Sequence, residues 1–187
     1  MDNQQLRNRI QQLELENQIK MDDIPDIDLY MDQVTQLFEK AFSGSKRKPD
    51  DKVLTKTMIN NYAKGKLFPP IKNKRYSKEH IMLISLIYQL KGTLSISDIK
   101  SLLDKTQSAE KVSLEALYNA YVAQTNSSSI SFTENVQKLN NELIENSISD
   151  GDEIIDNLLL VSVLVHMSNL YRRLAEQIVD DMAENKE

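Results

Sequence analysis

The chain has 187 residues, no cysteine and a formal net charge of −5, long enough to bury a core without disulfides or metals. The missing thiols exclude a disulfide scaffold, a thiol nucleophile, a zinc finger and a thiol-based redox sensor. The charge is segregated: residues 46–78 hold eleven basic and two acidic side chains, against four and nine in residues 1–45 and eight and seventeen in residues 79–187.

Only four glycines and four prolines interrupt apolar residues spaced three to four apart, which predicts a mainly all-α protein. The N-terminal "MDNQQLRNRIQQLELENQ" has no apolar signal core. It predicts a polar helix or tail over residues 1–23, with Leu6, Ile10 and Leu13 on one face. Pro25 and a run of aspartates follow, and Asp26 or Asp28 is placed to cap a helix running to about Phe42. Tyr30, Val34, Leu37, Phe38 and Ala41 form its packing face, and "SGSKRKPDD" is a loop.

A helix over Thr55–Lys64 comes next. At about 100° per residue, Leu54, Met58, Ile59 and Tyr62 share one side within about 140°. Lys56, Thr57, Asn60 and Lys64 lie opposite. Lysine neutralises phosphate, and Asn and Thr bond base edges or phosphate oxygens, so the face suits major-groove reading, while the same pattern is also that of an ordinary amphipathic helix. "PPIKNKRYS" then stops the helix, offers Lys72, Lys74 and Arg75 on a short basic ribbon or loop, and places Ser77 to cap the next helix. That helix, about Lys78 to Lys91, is apolar almost all round and predicts the central buried element. Ser95 and Asp98 form a capping box for a short helix with Ile96, Ile99, Leu102 and Leu103 inward.

Beyond it, "QTNSSS" predicts a polar linker between a helix over 113–122 and another opening at Ser131. "SISDGD" predicts a break before a final long helix, Glu153 to about Met182. That helix carries two apolar stripes, one through Leu160, Leu164, Met167, Tyr171, Leu174 and Ile178, the other through Ile154, Leu158, Val161 and Val165. Two stripes imply two neighbours, one of them a second chain, which predicts a homodimer. The apolar run "LLLVSVLVHM" is about half of what a membrane span needs, so a cytoplasmic protein without membrane contact is expected.

Chemistry of other kinds has little to stand on. His80 and His166 lie far apart, and His166 reads as a core or interface residue. The Asp22–Asp32 cluster lacks the glycine and closing glutamate of a calcium loop. No phosphate loop, nucleophile elbow or paired catalytic acid motif is present, and neither an enzyme, a metal nor a cofactor is expected.

The order of parts from Val53 to Leu103 resembles the winged helix-turn-helix domain of MerR-type transcription regulators. Thr55 matches the helix cap, Tyr62 the second aromatic of the recognition helix, Leu67-Phe68-Pro69 the segment after it, and Lys74-Arg75-Tyr76-Ser77 the close of the wing. Ile96, Ile99, Lys100, Leu102 and Leu103 match the family's last helix. Asn60 and Asn61 stand where the family has an arginine and its first tyrosine, Gly65 comes one residue early, and the wing is several residues shorter. A nearer resemblance, over "IPDIDLYMDQV", "LTKTMINNYAK" and "RYSKEHIMLISLIYQLK", is to the bacterial family called domain of unknown function 1836.

These resemblances imply a MerR-like winged helix-turn-helix domain with a short basic wing over residues 24–103, followed by a helical C-terminal region, 104–187, for dimerisation or effector binding. The implied function is transcription regulation through double-stranded DNA, read by Lys56, Thr57, Asn60 and Lys64 and gripped by Lys72, Lys74 and Arg75. The alternative is a non-catalytic module that applies the same basic face to an acidic protein.

Overall fold

The computed structural model describes residues 2–108, 113–146 and 152–184. In chain order these form α1 (Asn3–Gln12), β1 (Leu29–Tyr30), α2 (Met31–Phe42), α3 (Lys56–Lys64), β2 (Arg75–Tyr76), α4 (Lys78–Leu90), α5 (Ile96–Ser108), α6 (Leu114–Glu145) and α7 (Glu153–Glu184). The protein is mainly helical, as its spacing predicts, and β1 and β2 form a small antiparallel sheet.

The main core is built around α4, whose Ile81, Ile84 and Ile87 are fully buried. Against it lie Val34, Phe38 and Phe42 of α2, Ile59 and Tyr62 of α3, and Ile99 and Leu103 of α5. Tyr118 of α6 is buried in the same cluster. Its hydroxyl donates to the Ile19 carbonyl at 2.7 Å and lies 3.0 Å from Ser85 Oγ. One side chain thus ties the segment before β1 and the middle of α4 to α6. A second, smaller core joins Leu6 and Ile10 of α1 to Val136 of α6 and Leu160 of α7.

Several expectations need correction. The "QTNSSS" linker does not exist: α6 runs unbroken through it. The stretch is polar but holds neither glycine nor proline, and its hydroxyls bond back to the preceding turn. Thr125 Oγ1 donates to the Tyr121 carbonyl, Ser128 to Gln124 and Ser129 to Thr125, at 2.9–3.0 Å. Polar side chains satisfied along their own helix do not interrupt it. The cap of α2 is Tyr30, whose N–H donates to Gln33 Oε1 at 2.8 Å, and neither Asp26 nor Asp28 takes that place. Tyr30 is half exposed and serves β1, while Leu13 and Ile96 turn outward. The predicted break at "SISDGD" lies, apart from Asp152, outside the described residues.

The last helix differs most from expectation. Leu160 and Val179 are its buried residues, one in each core. Between and around these anchors Leu158, Val161, Val165, Leu174 and Ile178 are more than half exposed, and His166 is exposed as well. The helix has 32 residues and contains an 18-residue window with a mean hydropathy of 1.4, so it meets the length and composition of a membrane span. The apolar run quoted above is only part of it.

Candidate nucleic-acid interface

The basic face begins at α3. Thr55 caps this helix by accepting the Met58 N–H at 3.1 Å. That fixes the helix phase: Ile59 and Tyr62 point into the core, Met58 packs at its edge, and Lys56, Thr57, Asn60 and Lys64 all face solvent. Tyr62 is a packing residue. Burial, with Tyr88 nearby, pushes its phenol up to about 12, so it stays neutral. The helix closes with Lys66 N–H on the Ala63 carbonyl at 3.0 Å and Leu67 N–H on the Tyr62 carbonyl at 3.1 Å. This end motif drops Leu67 and Phe68 into the core and turns the chain toward the two prolines.

The basic ribbon is a single tight turn. Arg75 N–H donates to the Lys72 carbonyl at 2.9 Å, and Asn73 and Lys74 between them hold φ of 52° and 58°. Two consecutive left-handed residues are the signature of a type I′ hairpin turn. Arg75 and Tyr76 then pair with Tyr30 and Leu29 of β1. Register places Lys72, Lys74 and Arg75 outside and Tyr76 inside, since neighbours on a strand face opposite ways.

His80 holds this turn to the body. The Ser77 N–H can only donate, so His80 Nδ1, 3.1 Å away, is the acceptor, and Nε2 carries the proton and donates to the Pro69 carbonyl at 3.0 Å. Ser77 Oγ lies 2.7 Å from the same Nδ1, and the ring sits edge-on to Phe68 and Tyr76. The sequence showed no partner for this histidine, because its partners are main-chain atoms that only the turn brings near. Replacing His80 with alanine leaves a part-buried carbonyl and N–H without this partner and should cost about 1–3 kcal/mol of stability. Urea unfolding of the variant measures it, and an unchanged midpoint would refute this anchoring role.

The seven predicted residues are therefore all exposed and lie on two consecutive pieces, α3 and the turn after it. Two are already engaged. Lys56 Nζ forms an ion pair with the Asp32 carboxylate at the start of α2. The Arg75 guanidinium lies 5.0 Å over the Tyr30 ring and donates to its hydroxyl at 3.0 Å. Asp32 and Tyr30 thus belong to the site, and neither was legible from local spacing. Lys46 belongs to the fold instead: it pairs with Glu39, whose carboxyl this hydrogen bond holds below the usual range, and pins the loop after α2. Among the described residues no cluster of three or more His, Asp or Glu side chains could hold a metal.

The profile of the family described as "Domain of unknown function (DUF1836)" matches residues 19–121, more than half of the chain. The chain belongs to that family. The matched span opens at Ile19 and ends in the first turns of α6, so it takes in the whole main core except Val122 and Val179, both the helix and the turn of the basic face, and the Ile19–Tyr118 hydrogen bond. The small core of α1 and the exposed face of α7 lie outside it. No curated protein matches the chain. No solved structure matches it either.

Proposed function

We propose that this member of the DUF1836 family is a sequence-specific transcription regulator that binds duplex DNA through α3 and the Lys72–Arg75 turn. One observation carries the reading. A short helix is held by an apolar back, presents Lys56, Thr57, Asn60 and Lys64, and is followed at once by a basic hairpin turn paired to a strand that precedes α2. The order strand, helix, helix, turn, strand, helix supports a winged helix-turn-helix of MerR-like type. α3 is the major-groove element and the turn a short wing on the backbone. The partner of α7 is a second copy of the chain, which would pair two such faces on one duplex.

Selection of bound genomic fragments at moderate salt tests this directly. Wild-type protein should enrich a defined sequence, and replacing Lys56 and Lys64 together with alanine should abolish the enrichment. Equal recovery by the double variant would remove α3 from the reading. A second reading, an acidic protein partner on the same face, draws on the carboxylates already there: Asp32 on Lys56, and Asp26 on Lys78 at 3.3 Å. Recovery of one acidic protein and no DNA would favour it.

A further inference from the structure

The backbone of the basic face is strained at two lysines. Lys66 and Lys74 have φ of 53° and 58°, in the left-handed region where an L side chain crowds its own carbonyl. Each occupies a position that glycine ordinarily takes. Lys66 is the left-handed residue of the motif that ends α3. Lys74 is the second central residue of the type I′ turn, after an asparagine that suits the first. Glycine is not far away: Gly65 directly precedes Lys66, at an ordinary helical φ of −71° that any residue adopts. A side chain on Gly65 would meet nothing nearer than 3.4 Å. Lysine and glycine stand in the reverse of the order the backbone favours.

Backbone hydrogen bonds hold both conformations, but none of them calls for lysine in place of glycine. Both lysines are exposed, and among the described residues neither takes part in a salt bridge. Lys46, Lys56 and Lys78 of the same basic segment all do. The fold needs the two left-handed turns but not lysine in them, and strain kept where glycine would relieve it is a mark of a functional position.

We infer that Lys66 and Lys74 are kept in strained backbone for DNA phosphate contacts, and that Lys66 extends the binding face into the turn between α3 and the prolines. The inference rests on the DNA-binding reading above. It makes stability and affinity move in opposite directions, which a merely structural lysine would not do.

The test compares the wild-type chain with Lys66→Gly, Lys74→Gly and Lys66→Gln on one selected duplex fragment. Each glycine variant should melt about 2–4 °C higher. Each should also lose about 0.9 from the slope of log affinity against log salt. Lys66→Gln keeps the strain and removes the charge, so its slope should fall equally while Tm stays within a degree or so. Glycine variants that melt lower, or that keep the wild-type slope while the wild type binds normally, overturn this inference and leave the DNA reading standing. A wild-type protein with no salt-dependent binding overturns both.

Discussion

Raising salt from about 50 to about 200 mM should weaken binding of the protein to its selected duplex by about 2,000-fold, because six exposed cations, Lys56, Lys64, Lys66, Lys72, Lys74 and Arg75, would each release about 0.9 of a counterion. Replacing Lys72 and Arg75 with alanine should make the slope shallower by about 1.8 and reduce the loss over that range to about 150-fold. The Lys56–Asp32 pair adds a sign that distinguishes this face from a solvated loop. Both partners are more than half exposed, so the pair itself contributes about 1 kcal/mol at most. A phosphate must nevertheless compete with that carboxylate and lie beside it. Asp32→Ala should therefore tighten binding several-fold, with little change in Tm. Fluorescence anisotropy across a salt series measures both effects. A flat salt dependence would exclude phosphate neutralisation by this face, and unaltered affinity in Asp32→Ala would place Lys56 outside the contact.

The exposed face of α7 carries the second large effect. From Ile154 to Ile178 its large apolar side chains are 40–76% exposed, apart from Leu160 and the half-buried residues on the same side. Both stripes together leave on the order of 900 Å² per chain, and the Met167–Ile178 side supplies roughly half of it, toward the low end of a specific interface. The surface also has relief. Leu170, Leu174 and Ile178 form a ridge beside an open groove of about 870 Å³ between α6 and α7, lined in part by Phe132, Leu139 and Met167. A ridge next to a groove on one molecule can fit the same pair on a second copy across a two-fold axis. Wild-type protein should therefore scatter light as a dimer, and Leu170→Glu with Leu174→Glu should yield a folded monomer. On a fragment with two half-sites the variant should lose about 10²–10⁴-fold in affinity, the avidity of the linked pair. A bilayer is the competing cover for this face. Asp156, Asn157, His166 and Asn169 within the helix, and the anchoring of Leu160 and Val179 in protein cores, favour protein over lipid. A monomeric wild type that partitions onto phospholipid vesicles would overturn the dimer.

Local pattern alone determined much of this protein. Apolar residues at helical spacing located α2, α3, α4 and α5 to within a residue or two at most ends. The all-round hydrophobicity of Ile81–Ile87 marks the central helix by itself, because a helix without a polar face has nowhere to lie but inside. The two faces of α3 followed from phase, and Thr55 and Ser95 from cap chemistry, both of which act over four residues or fewer. The sequence misjudged "QTNSSS" because hydroxyl side chains satisfy a helix as readily as they break one, and the choice depends on what packs on either side.

Tertiary structure decided the rest, and in each case the deciding partner is distant along the chain. His80 finds Pro69, Lys56 finds Asp32, Arg75 finds Tyr30, and Tyr118 finds Ile19. Spacing could name the cations of the basic face but not which of them a carboxylate or ring already holds, nor that Lys66 and Lys74 sit in left-handed backbone. The two stripes of α7 were legible as apolar. Only the fold revealed that each core takes one residue from them or beside them, leaving the rest of the helix bare, because burial depends on what the chain places opposite and periodicity records only what could be buried.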